Sequence, residues 1–312
     1  MAATLWSSKG CRTPLAPSCR PDQHYMLHIP KTSGSSFAHV IEERLIPQLK
    51  PCNSVQSLRV SSVPLQCAKP LDSLRARSPL GHLHCLINMR RSKDCNVWVS
   101  EGSVDGEVPR IAEATGRPVG LITMVRDPLS HVLSQYAHCQ SPGGYGMAKH
   151  RYRNITFTHW LEDAMQHPRR AGSPFCGYDP RDMMTRHLAG GDLRRAIAIV
   201  DGALFVGVTA HFDASMCLLR SQLRGSRACE CPAGKTAGPP SAPPGTGTRV
   251  GPGTSGPRVN KPEEVVLTGA ARALLEQLTR RDAVVYARGL SRFYDGLVHF
   301  NLTCTLSGDL GR

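Results

Sequence analysis

The sequence predicts an α/β fold in which a central parallel sheet is flanked by helices. Short apolar runs of strand length alternate along the chain with stretches of helical period, which is the pattern of parallel strands joined by helical crossovers. The clearest run, residues 119–125, is continuous and rich in β-branched side chains, as in a strand that is covered on both faces. The 312 residues suffice for one large domain with a substantial core.

Four strands are predicted, at residues 25–29, 97–100, 119–125 and 204–208. Helices are expected from residue 35 to a point before Pro47, and over residues 128–136, 157–165, 180–188, 193–200, 214–223, 270–278 and 283–300. Asp127, Asp179 and Thr268 are the predicted N-caps, because short polar side chains accept hydrogen bonds from the first backbone N–H groups of a helix.

One segment differs from the rest of the chain in composition. Residues 225–262 contain 8 Gly and 8 Pro in 38 positions and few large apolar side chains. Burial cannot offset the entropy of ordering such a segment, so we predict a disordered Gly/Pro-rich insertion. The predicted domain then covers residues 24–224 and 263–300, with a flexible tail over 1–23 and a C-terminal tail over 301–312.

The charge of the chain predicts an anionic partner. Its net charge is +14 at neutral pH, and such a field attracts nucleic acid, acidic glycans, anionic lipids and phosphate-rich cofactors alike. Aromatic residues are only 5% of the chain and do not alternate with the basic ones, so nucleic acid is not expected. No apolar run approaches the roughly 18 residues of a membrane helix, so no transmembrane segment is predicted.

The cysteine content and two glycosylation sequons point to a secretory compartment. There are 12 cysteines, and the sequons begin at Asn154 and Asn301. Both features are typical of an oxidising, glycosylating lumen. The first 21 residues lack the apolar block of a signal peptide, so a cytoplasmic location is the alternative.

The first stretch that carries chemistry is His28-Ile29-Pro30-Lys31-Thr32-Ser33-Gly34-Ser35-Ser36-Phe37. A strand, a tight loop and a helix start follow one another here, and the loop contains a lysine. Backbone N–H groups at a helix N-terminus, together with a lysine, suit an anion. The alternative is an ordinary capped turn with a surface lysine. The stretch is not a Walker A loop, whose lysine follows its second glycine.

The second stretch is Val125-Arg126-Asp127-Pro128, with Ser134 eight residues after Arg126. A parallel strand delivers Arg126 to the carboxyl edge of the sheet, where open α/β folds bind ligands. A guanidinium fork plus a hydroxyl is a suitable receptor for a second phosphate. The alternative is that Arg126 pairs with a carboxylate and Ser134 is merely exposed.

Together the two stretches resemble the 5′-phosphosulfate loop and the 3′-phosphate motif of sulfotransferases that use 3′-phosphoadenosine 5′-phosphosulfate (PAPS). The likeness is above all to the Golgi carbohydrate sulfotransferases of the heparan sulfate 2-O and 6-O type, with their "I-P-K-T-G-G-[ST]-[ST]-F" and "R-D-P-x-x-R-x-x-S-x-Y" motifs. Weaker likeness extends over Arg186-His187-Leu188-Ala189-Gly190, residues 204–212 and residues 282–286. Two departures are Ser33, in place of the usual first glycine, and His131, in place of an arginine.

The resemblance implies a P-loop-NTPase-like fold and transfer of the sulfuryl group of PAPS, without a metal, to a hydroxyl of a carbohydrate that is itself polyanionic in some family members. It implies a Golgi location and assigns the donor site to the residues that match the two motifs. These are Lys31, Thr32, Ser33, Gly34, Ser35 and Ser36, which hold the 5′-phosphosulfate, and Arg126 and Ser134, which hold the 3′-phosphate.

A base is needed to take the proton of the acceptor hydroxyl, and Lys31 acts on the leaving group. The 2-O type carries a Gly-His between its two PAPS motifs, and Gly81-His82 lies in the same interval, so the resemblance assigns the base to His82. His84 and Glu101 are the rivals. A neutral imidazole accepts a proton readily near pH 7.

Two other classes of function fit the same residues. One is a P-loop-like phosphotransferase, which needs Mg²⁺ and an aspartate to hold it. The other is a basic domain that binds glycans or polyanions without turnover, with Arg169-Arg170, Arg194-Arg195 and Arg280-Arg281 as candidate contacts.

Overall fold

A four-stranded parallel sheet with the order β2-β1-β3-β4 lies at the centre of the molecule. Its strands are β1 (Gln23–Leu27), β2 (Val97–Ser100), β3 (Val119–Val125) and β4 (Phe205–Val208). The computed structural model describes residues 21–33, 36–37, 40–41, 46–50, 95–140, 155–166, 179–229 and 267–306. Helices flank the sheet, so the predicted α/β fold with a central parallel sheet is confirmed.

The helices in the described residues are α1 (Val104–Thr115), α2 (Pro128–Gln140), α3 (Phe157–Gln166), α4 (Met183–Ala189), α5 (Leu193–Gly202), α6 (Phe212–Arg224), α7 (Gly269–Leu278) and α8 (Arg280–His299). Two 3₁₀ turns, Thr209–His211 and Thr303–Leu306, follow β4 and α8. Within the described ranges, none of these helices combines the length and the apolar character needed to cross a bilayer.

The strand pattern explains most of the architecture. Every residue of β1 and β3 is buried, which accounts for the continuous run of β3 without polar alternation, whereas β1 begins with the buried polar residues Gln23 and His24. β2 and β3 have the predicted bounds, whereas β1 begins and ends two residues earlier than predicted. Ile29 is fully buried but lies in a turn, where its carbonyl accepts a hydrogen bond from the backbone N–H of Thr32, so hydrophobicity alone extended the predicted strand too far.

Two of the three predicted helix caps are confirmed and one is wrong. The Asp127 carboxylate accepts from the backbone N–H of Ser130, and the Thr268 hydroxyl accepts from that of Ala271. Asp179 does not cap α4, which begins at Met183 after Asp182. The Asp179 carboxylate instead pairs with Arg181 at 2.8 Å and with Arg186 at 3.5 Å.

Helix α1 is not among the predicted elements. It contains Gly106 and Pro109, both of which disfavour a helix interior. Its first turn is stabilised by the side chain of Ser103, which accepts from the N–H of Gly106, and its apolar residues Val104, Val108 and Ile111 are buried in the core. Tertiary burial therefore outweighs the local preference.

The ordered chain extends past residue 224. Cys229 forms a disulfide with Cys217 of α6, and the N–H of Ala228 donates to the hydroxyl of Ser221. The first five residues of the predicted insertion are thus held against α6, while residues 230–262 lie outside the described residues. At the other end, Leu302 is fully buried, so the start of the predicted C-terminal tail belongs to the core.

Helices α4 and α8 cap each other through two aspartates. The carboxylate of Asp282, in the first turn of α8, accepts from the backbone N–H groups of Met184 and Thr185 and from the hydroxyl of Thr185. The carboxylate of Asp182, the N-cap of α4, accepts from the N–H groups of Arg281 and Asp282. Burial raises the pKa of Asp282 to about 6, and the three donors oppose that shift.

Asp282→Ala is expected to lower the free energy of unfolding by about 2–4 kcal/mol, because it leaves two buried N–H groups of α4 without an acceptor. Urea unfolding followed by circular dichroism measures the loss. Asp295→Ala, at an exposed position of the same helix, is the control and should change stability by less than about 0.5 kcal/mol. Equal stability of the two variants would contradict the capping role.

Candidate functional site

The candidate site lies at the carboxyl edge of the sheet, between β1 and β3. The chain leaves β1 to form β2 on one side of it and returns to form β3 on the other side. Ligands of open α/β sheets bind at such a switch point, because the connections diverge there and leave a crevice. The loop that contains Lys31 follows β1, and Arg126 follows β3, so the topology brings both predicted phosphate-binding stretches to this crevice.

The loop after β1 has its carbonyl groups turned into the protein. The carbonyl of Ile29 accepts from the Thr32 hydroxyl at 2.8 Å. The carbonyl of Pro30 lies 2.7 Å from Nε2 of His131, and that of Lys31 accepts from Nη1 of Arg126 at 2.9 Å. Because N–H and C=O point in opposite directions across a trans peptide, the N–H of Lys31 faces away from the His131 ring. The group that points away from the supporting His131 side chain is therefore a hydrogen-bond donor, the N–H of Lys31, and not a carbonyl acceptor.

The loop is conformationally strained at two residues. Lys31 has φ 66° and Ser33 has φ 64°, in the left-handed region that favours glycine. The carbonyl of Ser33 accepts from the N–H of Phe37, so the helix that follows starts here. Ser36 is helical and half-buried, while Gly34 and Ser35 lie outside the described residues.

Lys31 and Arg126 form a partly desolvated cationic pair. Burial lowers the pKa of Lys31 to about 8, with a further contribution from the charge of Arg126, while Glu101 opposes the shift. Burial also lowers the pKa of Arg126. Among the residues that the structure describes, Arg126 forms no ion pair with a carboxylate. Two neighbouring cations held partly away from water favour the binding of an anion between them.

Ser134 is the predicted partner of Arg126 for a second phosphate. It lies on α2, half-buried, almost two turns after the helix begins at Pro128. The hydrogen bonds of the described residues do not join it to Arg126, so its assignment rests on its place on the helix. Thr209, at the end of β4, donates its hydroxyl to the carbonyl of Val125 and thereby fixes the backbone next to Arg126.

Three buried histidines that the sequence analysis did not assign to the site surround this pair. His131 is 1% exposed, and its Nε2 must carry a proton, since its partner is a carbonyl. His28 follows β1, and His187 lies on α4 near the backbone of Glu101. Burial lowers the pKa of each to about 4, so all three are neutral near pH 7. The sequence offers one indication of their place, because all three histidines lie in segments that resemble the sulfotransferase motifs.

Of the three candidate bases, only Glu101 falls within the described residues. It follows β2, lies close enough to Lys31 for their charges to interact, and has its Oε1 3.6 Å from Nδ1 of His28. Burial raises the pKa of its carboxyl group, and Lys31 opposes that shift. His82 and His84 lie outside the described residues, so the prediction for His82 stays a prediction.

No protein-family model matches this chain, and no curated protein matches it significantly. A search of the described residues found no group of three or more His, Cys, Asp or Glu side chains that could hold a metal ion. The function is therefore inferred from the residues and geometry of the site.

Ser33→Gly is expected to raise the free energy of unfolding by up to about 1 kcal/mol, because glycine adopts the left-handed conformation without a Cβ clash. Denaturant unfolding measures the gain. Ser291→Gly, at an exposed position inside α8, should instead lower stability by about 0.5 kcal/mol. A loss of stability in Ser33→Gly as large as that of the control would show that the loop is not strained at this residue.

Proposed function

We propose that this protein is a sulfotransferase that moves the sulfuryl group of PAPS to a hydroxyl of a carbohydrate acceptor. The observation that carries the proposal is the contact of Arg126 with the Lys31 carbonyl, which joins two stretches 95 residues apart at the switch point of the sheet. These are the two stretches whose residues resemble the PAPS motifs. Their cationic side chains suit a ligand with two separate phosphate groups.

Each residue of the site has a distinct part in this reaction. Lys31 and the backbone N–H groups of residues 33–36 bind the 5′-phosphate and stabilise the negative charge that grows on it as the sulfuryl group leaves. The N–H and hydroxyl of Thr32 both donate to the Ile29 carbonyl, so Thr32 shapes the loop instead of contacting the phosphate as predicted. Arg126 and Ser134 bind the 3′-phosphate and so select this donor over nucleotides without that group. Bound PAPS supplies the activated sulfuryl group. In-line transfer further requires a positioned acceptor and a base, for which His82, His84 and Glu101 are the candidates.

The acceptor is proposed to be a glycan, by the same resemblance. Arg194 and Arg280 are exposed and extend the positive field of the chain. We further propose that the protein acts in the Golgi lumen. The Cys217–Cys229 disulfide supports this location, since such bonds form and persist in oxidising compartments.

The compartment is tested on protein purified from its native source. We expect mass spectrometry under non-reducing conditions to find the peptides of Cys217 and Cys229 linked, and a glycan on Asn154 or Asn301. The reason is that thiols pair and sequons are modified in the secretory lumen. Free thiols at both positions together with unmodified asparagines would contradict the proposal and indicate a cytoplasmic enzyme.

The donor site is tested by nucleotide affinity as a function of pH. Calorimetry with 3′-phosphoadenosine 5′-phosphate should give a Kd that rises as the pH passes through about 8, because Lys31 then loses its charge. Lys31→Ala should weaken binding about ten- to a hundredfold at pH 7 and abolish this pH dependence. Arg126→Ala should weaken binding as strongly but keep the pH dependence.

Arg272→Ala, an exposed cation on α7, is the control and should bind the nucleotide like the unaltered protein. ATP with Mg²⁺ is the competing ligand, and a preference for it over the bisphosphate would favour the phosphotransferase alternative. Unchanged affinity in a folded Arg126→Ala variant would remove the 3′-phosphate assignment. Nucleotide binding without transfer of labelled sulfate to any glycan of a broad panel would favour the binding-domain alternative.

A further inference from the structure

Two acid–base side chains leave the sheet side by side at the carboxyl edge. Leu27, the last residue of β1, pairs with Ser100, the last residue of β2. The next residues are His28 and Glu101, and the N–H of His28 donates to the carbonyl of Ser100 at 2.8 Å. The strand register therefore places an imidazole next to a carboxylate, beside the loop that contains Lys31.

The two side chains differ in their exposure to solvent. His28 is 6% exposed, and its Nδ1 is buried without a hydrogen-bond partner within 3.5 Å among the described residues. The Glu101 side chain is 42% exposed, and its Oε1 lies 3.6 Å from that Nδ1. An unpaired buried nitrogen is costly, and this one is directed at a single carboxylate. A shift of a few tenths of an ångström completes a hydrogen bond between them.

We infer that Glu101 accepts the proton of the acceptor hydroxyl, and that His28 is a positioning residue that holds the Glu101 carboxylate for this purpose. The inference rests on the proposed function. Glu101 is exposed enough to meet a substrate and to release a proton to water, whereas His28 is fixed in the core. Catalytic hydrogen bonds are often long without substrate and shorten in the complex, as water is excluded.

The electrostatic surroundings let this pair work near neutral pH. Within the part of the chain that the structure describes, the titratable groups that face it are Lys31 from the loop and His187 from α4, which lies near the backbone of Glu101. Burial lowers the pKa of His28, with smaller contributions from His187 and Lys31, so the ring is neutral and can donate from Nδ1. Glu101 is then held in its carboxylate form by a neutral donor and by the positive charge of Lys31.

The transfer step balances with these groups alone. The acceptor oxygen forms a bond to sulfur as its proton passes to the Glu101 carboxylate. The bond between sulfur and the 5′-phosphate oxygen breaks, and its electron pair stays on that oxygen, next to Lys31. Glu101 ends the step as a neutral carboxyl group and returns its proton to solvent. His28 keeps its own proton throughout.

The test combines enzyme kinetics with a titration that does not depend on turnover. His28→Leu removes the donor, and His28→Asn keeps an N–H near the position of Nδ1. Carbon-13 NMR of glutamate carboxyl groups follows the pKa of Glu101, whose signal is assigned by its absence in Glu101→Gln. Sulfate transfer from PAPS is measured from pH 5 to 9 on the same proteins, with Glu113→Gln, an exposed glutamate of α1, as the control.

We expect Glu101→Gln to lower kcat about a hundredfold or more, with little change in the KM for PAPS, as for loss of a general base. His28→Leu should raise the pKa of the Glu101 carboxyl group by about one unit and move the acid limb of kcat to higher pH by the same amount, so that kcat falls about tenfold at pH values well below that limb. His28→Asn should restore both. Glu113→Gln should stay within about threefold of the unaltered enzyme, a variation too small to indicate loss of a catalytic base.

Three results overturn the inference, and they differ from a failure of the proposed function. A Glu101 carboxyl group that titrates alike in all His28 variants shows that the two residues are not coupled. An active Glu101→Gln enzyme beside an inactive His82→Ala enzyme assigns the base to His82. Activity lost in His28→Leu and not restored in His28→Asn, without a shift of the acid limb, shows a purely structural role. If the unaltered protein transfers no sulfate, the proposed function fails and the base role fails with it.

Discussion

The placement of β1 between β2 and β3 is the constraint on which the candidate site depends. All residues of β1 are buried, and the register pairs Leu27 with Ser100 on one side and with Thr123 on the other. A shift of one residue would move every side chain of the strand to the opposite face, where it would meet different neighbours, so core packing on the two faces fixes this register. Because the register is fixed, the residues that follow the strands emerge at defined positions around one crevice.

The site that results concentrates positive charge without burying charged histidines. Lys31 and Arg126 supply the cationic groups, and the three nearby histidines stay neutral because burial lowers their pKa values to about 4. Neutral rings can still donate hydrogen bonds, and His131 uses this to hold the Pro30 carbonyl. The sulfotransferases that this chain resembles have an arginine at the position of His131. An arginine would add a third buried cation, whereas the histidine supplies the contact at a smaller cost of desolvation.

The sequence predicted the parts of the fold that local patterns determine, and missed those that tertiary contacts determine. Residues 119–125 form a strand with the predicted bounds, since a continuous β-branched run admits few alternatives. Helix α1 was not predicted, because Gly106 and Pro109 oppose a helix that burial in the core stabilises. The cap of α4 was placed at Asp179, because nothing in the local sequence shows that this carboxylate pairs with two arginines.

The candidate site shows the same division. Lys31 and Arg126 were found because each belongs to a recognisable strand-to-helix junction, and the topology then brings them together. His28, His131 and His187 were not assigned to the site, because a histidine acquires a role only through its neighbours, and those neighbours are about 70 to 100 residues away in the chain. Glu101 was a candidate from its place after a strand, but its pairing with His28 depends on strand register, which composition does not show.

The contacts at both ends of the Gly/Pro-rich segment explain how the fold accommodates it. Near the start of the segment, Cys229 is tied to α6 by its disulfide with Cys217. After it, α8 is positioned by the exchange of caps between Asp182 and Asp282, and by Gly289, where a Cβ would come within 2.9 Å of Val125. Since α6 and α8 are fixed by contacts of their own, the Gly/Pro-rich segment does not have to position either helix. The entropic cost of closing a loop rises slowly with its length, so the length of this segment can vary at little cost in stability. Substitution of Asp182, Asp282 or Gly289, by contrast, would disturb contacts on which the fold depends.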